Sequence, residues 1–212
     1  MLILWFMVLA MAAAETSRGQ ESSRPRLDSA TASAIERIVD RANGNGLPTD
    51  VLRAKALEGA SRGAPDERIV AVVEAFEKRL EVARLILGQE ATAEAELVAV
   101  AGALVAGVSV PAAESLVVAT RSGTRRPVTV PFIIATDLAA RGIRADSATS
   151  VVRQMVLRQR SDADLWAIRA AVARDIARGA DPVDALASRS GITNVGIPGG
   201  QREPSRPPTG TP

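Results

Sequence analysis

The fold class is decided by the stretch Asp66–Leu87, which reads DERIVAVVEAFEKRLEVARLIL. Its apolar residues recur at steps of three and four, a spacing that places side chains on one face of an α-helix. Asp66 follows Pro65 and is a favourable N-cap, and Gly88 ends the pattern. The sequence therefore predicts an amphipathic helix here. Its apolar stripe consists of Ile69, Val72, Val73, Phe76, Leu80, Ala83 and Leu87.

A recurring helix ending extends this prediction to most of the chain. An apolar stripe closes with a glycine, an apolar residue follows, and a capping residue or proline comes next. A left-handed glycine after the last turn lets the following apolar residue pack back on the helix. Some of these glycines are 35 and 37 residues apart, about the length of one helical hairpin. We predict an all-α fold of stacked helical hairpins, an irregular α-helical repeat or bundle. The endings are Gly46-Leu47, Gly63-Ala64, Gly107-Val108, Gly142-Ile143 and Gly179-Ala180.

The N-terminal 14 residues have the order of a secretory signal peptide. An uninterrupted apolar run ends in Ala12-Ala13-Ala14, and polar residues follow at once. The run is shorter than the about 20 residues that a membrane span needs. We therefore expect cleavage, export to the periplasm or beyond, and no membrane span afterwards. Since no basic residue precedes the run, a retained anchor and initiation at Met11 are the alternatives.

The rest of the chain divides by composition. Residues 15–29 are polar and predict a flexible lead-in, and residues 30–190 form the predicted helical domain. Residues 191–212 are rich in Gly, Pro, Arg and Thr and predict a disordered C-terminal tail. The segment 125–132 is β-branched with two prolines, so we expect a loop that enters a helix at Ile133. A short strand is the alternative, which the prolines disfavour.

Composition excludes most enzyme mechanisms. The chain has no His, Cys or Tyr, so it lacks imidazole bases, thiol nucleophiles, disulfides and the usual zinc ligands. We therefore predict a non-enzymatic protein with no catalytic residues, no metal site and no cofactor. The motif Gly59-Ala60-Ser61-Arg62-Gly63 matches a nucleophile elbow, but that elbow requires a strand-to-helix turn and a histidine. We interpret its glycines as helix termination.

Two groups of charged side chains could instead have acid-base or polar functions. Glu74, Glu77 and Glu81 alternate with basic residues, and we expect them on a solvated face opposite the apolar stripe. Lys55 and Glu58 predict a surface ion pair. Neither group predicts a buried acid and base.

Charge offers the better indication of a ligand. Residues 121–190 contain 12 Arg and 7 Asp, whereas residues 91–120 contain three Glu and no basic residue. We place Arg121, Arg125 and Arg126 in one loop as a candidate anion-binding site for an anionic envelope polymer such as a polysaccharide or lipid head groups, while a protein partner belongs to the alternative function below. Nucleic acid is disfavoured because the chain has no aromatic platform for stacking bases. A solvated arginine-rich surface without a ligand is the alternative.

A resemblance to a known family rests on residues 46–87. Gly46-Leu47-Pro48, then Lys55, Glu58-Gly59 and Arg62-Gly63-Ala64-Pro65, follow a Lys-x-x-Glu-Gly-x-x-Lys/Arg-Gly core. This pattern resembles a helical repeat of uncharacterised exported bacterial proteins. The resemblance implies a helical fold and export, and it implies no reaction.

Together these features predict a non-enzymatic exported binding or structural module of the cell envelope. The alternative is a scaffold or regulator that binds a peptide between helical hairpins. A carboxylate-dependent hydrolase is the third possibility, although no residue pattern identifies its acid and base.

Overall fold

A computed structural model describes residues 27–88, 93–124 and 126–192. The predicted signal peptide, Arg125 and residues 193–212 of the predicted tail lie outside these ranges. The described residues form nine α-helices and no strand, so the predicted all-α fold is confirmed. The helices are α1 (Ser29–Gly44), α2 (Asp50–Ser61), α3 (Asp66–Leu87), α4 (Glu94–Val105), α5 (Val110–Thr124), α6 (Thr129–Ala140), α7 (Ala145–Leu157), α8 (Asp162–Ala177) and α9 (Pro182–Ser190).

The helices stack in two rows, because most pack against the helix two places further along the chain. One row contains α1, α3, α5 and α7, and the other contains α4, α6 and α8. Consecutive helices such as α2 and α3, α3 and α4, or α6 and α7 pack across the rows. One continuous apolar core runs between them, from Ile35 in α1 to Ile192 after α9. This arrangement is the stack of helical hairpins that the glycine spacing predicts.

The predicted backbone of the helix endings is confirmed, although Ala180 after the last glycine is exposed and does not pack back on its helix. All five glycines have positive φ angles, between 64° and 95°. After α6, for example, Gly142 has φ 95°, and the amide of Ile143 donates to the carbonyl of Leu138 at 3.4 Å. Ile143 is buried against the helix that it follows. The same bond across five residues closes the other four endings, as expected for this C-terminal motif.

Polar contacts repeat with the same period as the hairpins. Most of those between helices join residues 32 to 39 positions apart, which is about one hairpin, while Arg53–Glu36 and Arg189–Asp175 span 17 and 14. Stacking places such residues side by side, so the contacts hold successive hairpins in register. The pairs include Arg41–Glu77, Arg84–Asn45, Ser109–Asp146, Arg121–Leu87, Val128–Glu96, Arg126–Arg160 and Arg169–Asp137.

The expectation for Glu77 is wrong. Its side chain is 2% exposed, and both carboxylate oxygens accept from Arg41 of α1, one of them from Nε at 2.8 Å. Because α1 packs on α3, it covers a face that looks solvated within α3 alone. Glu74 and Glu81 do remain at the surface, the former paired with Lys78. The predicted Lys55–Glu58 ion pair is confirmed, with Nζ and Oε2 3.9 Å apart.

The start of α6 is a second correction. The helix begins at Thr129, four residues before the predicted start at Ile133, and residues 126–132 form no strand. Pro131 is the third residue of the helix, where an amide has no intrahelical acceptor, so the ring costs no hydrogen bond. Pro131 and Phe132 are consequently buried residues of the helix.

Packing against the core extends beyond the predicted helical domain at both ends. Leu27 packs on the core and Asp28 caps α1, although both fall in the predicted lead-in. Gly191 ends α9 in the left-handed conformation, and Ile192 is buried with 4% exposure, although both fall in the predicted tail. No helix in the described ranges is long and apolar enough to cross a membrane.

Candidate anion-binding site

The three predicted anion-binding arginines do not share a loop. Arg121 lies in the last turn of α5, because the helix continues through Thr124. Its Nη1 donates to the carbonyl of Leu87 at 2.6 Å, and its Nη2 lies 3.7 Å from Oε2 of Glu96. Arg121 therefore binds a carbonyl at the C-terminal end of α3, where the partial charge is negative. Arg125 lies outside the described residues, which leaves Arg126 as the candidate.

Arg126 is held beneath the turn that joins α7 to α8. It precedes α6, and its side chain is only 16% exposed. Nη1 donates to the carbonyl of Arg160 at 2.7 Å and lies 3.3 Å from Oδ1 of Asp162. Both contacts are made by Nη1, and neither involves Nε or Nη2.

The other two nitrogens, Nε and Nη2, are buried without a hydrogen-bond partner. They form the edge of the guanidinium that binds a carboxylate with two parallel hydrogen bonds. Five other arginines of the described chain use this same edge to bind Asp or Glu. In Arg126 the edge is buried and has no acceptor. The five are Arg41, Arg53, Arg141, Arg169 and Arg189.

Arg126 lines a cavity of about 320 Å³ between α5 and the turn from α7 to α8. Its walls combine apolar side chains, hydroxyl groups, two arginines and one aspartate. The charged groups of the lining sum to one positive charge. We call this space the Arg126 cavity. It is lined by Ala119, Thr120, Arg126, Val156, Gln159, Arg160, Ser161 and Asp162.

The turn beside the Arg126 cavity departs from the repeat. It closes α7 as the glycine endings close other helices, with the amide of Arg160 donating to the carbonyl of Met155 at 3.1 Å. However, Gln159 occupies the glycine position with φ 59°, and Arg160 occupies the position of the apolar residue. A side chain at positive φ is uncommon and strained. Such strain concentrates at functional sites. Gln159 and Arg160, which replace the usual glycine and apolar residue, both line the cavity.

The N-terminus of α8 forms the other side of the cavity. Ser161 and Asp164 make a reciprocal capping box. The amide of Ser161 donates to Asp164, and this hydrogen bond holds the pKa of Asp164 below its ordinary value. The positive end of the helix dipole therefore lies at the cavity wall and favours negative charge. Oδ1 of Asp162 is buried there without a hydrogen-bond partner.

Other charged clusters in the described residues are satisfied internally. A second cavity lies beside α8 and α9, but its Arg189 binds Asp175 through two hydrogen bonds, which lower the pKa of Asp175. Asp137 accepts from Arg169 and Arg141. No group of three or more acidic side chains in residues 27–88, 93–124 and 126–192 could hold a metal ion. These clusters stabilise the fold, and none of their buried side-chain nitrogens in the described residues lacks a hydrogen-bond partner.

Sequence reasoning found Arg126 but missed the rest of the cavity. Gln159 and Asp162 carry no motif of their own. The available signal was a departure from the repeat, because Arg158-Gln159-Arg160 stands where other helices end in Arg-Gly-Ile or Arg-Gly-Ala. The hydrogen bond from Arg126 to Arg160, 34 positions away, needs the stacked fold and has no local signal.

Comparison of the chain with known protein families, curated proteins and solved structures finds no significant match. The resemblance to exported helical-repeat proteins therefore stays a prediction. What the Arg126 cavity can bind follows from its own geometry and charge.

Proposed function

We propose that this chain is a non-enzymatic, exported helical-repeat protein of the cell envelope that binds an anionic group in the Arg126 cavity. One observation carries the proposal. The bidentate edge of Arg126 is buried and unpaired, whereas five other arginines of the described chain pair that edge with a carboxylate. A carboxylate or phosphate group is the acceptor that matches it.

Energetics support a bound anion. A buried donor without an acceptor costs about 1–3 kcal/mol, and Arg126 buries two such donor nitrogens. A carboxylate or phosphate oxygen pair satisfies both at once. The N-terminus of α8 lies at the cavity wall, and the positive end of its dipole also favours an anionic ligand.

The dimensions of the cavity favour a single anionic group. A volume of about 320 Å³ lies at the small end of ligand-binding pockets, which span about 300–1,000 Å³. An extended polymer could place one of its anionic groups there but not its backbone. The ligand is therefore a small anion or one anionic group of an envelope polymer.

The residues of the cavity support binding rather than catalysis. The hydroxyl of Ser161 is engaged in the capping box and lies 2.9 Å from Oδ2 of Asp164. Asp162 is the sole carboxylate in the lining, so no second carboxyl group completes an acid-base pair there. Export is proposed from residues 1–14 alone, on the order of their apolar, small and polar residues.

Calorimetric titration of the full chain with acetate and with inorganic phosphate tests the proposal. Arg126→Lys keeps the positive charge but loses the planar pair of donors. We expect it to raise the Kd at least about tenfold, the loss of one charge-assisted hydrogen bond. Arg121→Lys is the matched control, because Arg121 carries the same charge outside the cavity lining.

The control should bind as the unchanged chain does. Equal weakening by the two substitutions would mean that the anion responds only to net charge. Undiminished binding by Arg126→Lys would place the anion elsewhere. Either result contradicts the proposal.

A further inference from the structure

The positive charge of Arg126 is partly balanced inside the Arg126 cavity itself. Oδ1 of Asp162 lies 3.3 Å from Nη1 of Arg126, so the two side chains form an ion pair. Nε and Nη2 lie on the other edge of the guanidinium and remain buried without a partner. Arg160 also lines the cavity, but it is exposed, so water screens its charge. The buried pair therefore offers a ligand two hydrogen-bond donors but little net charge.

A second carboxylate lies at the same end of α8. Asp162 and Asp164 both belong to the first turn of this helix. Oδ2 of Asp164 accepts from the amide of Ser161 at 2.9 Å, so the capping box already places a negative charge at the helix N-terminus. A ligand bound to Arg126 therefore has one buried cation and two carboxylates as its charged neighbours.

The number of charges on the ligand decides whether binding is favourable. Attraction to Arg126 and repulsion from Asp162 both rise in proportion to the ligand charge. The cost of removing the ligand from water rises with the square of its charge, as expected for the Born solvation of an ion. Among the described residues that line the cavity, no second buried cation faces the additional charge of a dianion. A singly charged group therefore fits this environment better than a doubly charged group.

We propose that the Arg126 cavity selects a singly charged carboxylate over a doubly charged phosphate, and that the charge of Asp162 sets this selectivity. This inference rests on the proposed function and narrows the ligand class of the same site. Five other arginines of the described chain hold a carboxylate on the same edge of the guanidinium. The ligand is therefore a small molecule or an envelope polymer that carries a carboxylic acid group, rather than a phosphate monoester.

Two small probes with one methyl group each compare the two charges. Acetate is singly charged, and methyl phosphate is mainly a dianion at pH 8, since the second pKa of a phosphate monoester is about 6. Calorimetric titrations of the full chain at pH 8 measure the Kd of each probe. We expect acetate to bind at least about tenfold more tightly than methyl phosphate, because the second charge of the phosphate raises the desolvation cost and the repulsion from Asp162.

Asp162→Asn tests the source of the preference, because it removes the charge and keeps the size of the side chain. It should tighten the binding of methyl phosphate more than that of acetate and reduce the preference at least about threefold, since the repulsion doubles with the ligand charge. Asp50→Asn is the matched control, because Asp50 is also the first residue of its helix but is almost fully exposed. It should keep the preference of the unchanged chain.

Three results would overturn the inference: methyl phosphate binding as tightly as acetate, a preference unchanged in Asp162→Asn, or an equal loss of preference in Asp50→Asn. Binding that Arg126→Lys weakens would still support the proposed function in each case. If Arg126→Lys weakens the binding of neither probe, both the inference and the proposed function are wrong. Far-UV circular dichroism shows whether each variant folds. If Asp162→Asn does not fold, Asp162→Ser removes the same charge and repeats the test.

Discussion

Gln159 gives the sharpest test of how the turn beside the Arg126 cavity is built. It has φ 59°, near the centre of the left-handed region, where a side chain costs about 1–2 kcal/mol relative to the right-handed helix. Glycine removes that strain but loses about 0.4–1 kcal/mol through the greater freedom of the unfolded chain. Gln159→Gly should therefore stabilise the protein by about 0.5–1 kcal/mol.

Two reverse substitutions calibrate this value. Gly63 has φ 67° and Gly179 has φ 94°, and a Cβ at either would meet no atom within 4 Å. Any cost of Gly63→Gln or Gly179→Gln is therefore conformational rather than steric. We expect Gly63→Gln to destabilise by about 0.5–1 kcal/mol, and Gly179→Gln by more, since φ 94° lies further from the left-handed minimum.

Urea unfolding followed by far-UV circular dichroism measures all three variants against the unchanged chain without added anions. With an m value of about 1–3 kcal/mol/M, a change of 1 kcal/mol moves the urea midpoint by about 0.3–1 M. The reasoning is refuted if Gln159→Gly lowers the unfolding midpoint. It is also refuted if Gly179→Gln costs no more than Gly63→Gln.

Three further predictions concern other parts of the molecule. Glu77→Ala leaves Arg41 without its buried partner and should lower the free energy of unfolding by about 1–3 kcal/mol, measured in urea. Glu74→Ala at the surface should lower it by under about 0.5 kcal/mol. Similar losses for the two variants would contradict the burial of Glu77. The hydrogen bond from Arg169 holds the pKa of Asp137 below its ordinary value of 3.8, so this pair stabilises the fold fully above pH 3.8 and loses its contribution as the pH falls through the lower folded pKa. The unfolding midpoint of Asp137→Asn should accordingly fall less between pH 5 and 2 than that of the unchanged chain, and parallel curves would count against the pair. N-terminal sequencing of the cellular protein should find Glu15 first, and an intact Met1 would contradict export by cleavage.

The parts of the fold that depend on neighbours in sequence were predictable. A glycine after an apolar stripe ends a helix through bonds within six residues, so Gly142 and Ile143 show their role in the sequence itself. The capping box at Ser161 and Asp164 is equally local. The hairpin period could be inferred because the endings recur, and two stacked rows follow from that period.

The sequence predictions are wrong where packing between hairpins determines the environment of a side chain. Glu77 looks solvated in α3, and only the contact with Arg41, 36 positions earlier, buries it. Arg121 looks like a loop residue because glycine and prolines follow it, yet α5 continues past it and its guanidinium binds the end of α3. The unpaired edge of Arg126 has no sequence signal either. Whether that edge has a partner depends on the turn after α7, which lies one hairpin further along the chain and packs beside Arg126.

The central claim is that Nε and Nη2 of Arg126 receive an anion, and its most direct measurement is an NMR titration of the arginine Nε–H signals of the full chain with acetate. The Arg126 signal is assigned by its loss in Arg126→Lys. We predict that this signal shifts progressively with acetate and saturates, while the signals of Arg141 and Arg169, whose Nε groups already bind Asp137, stay in place. An Arg126 signal that does not move, or that moves only in parallel with the signals of exposed arginines, would contradict the claim.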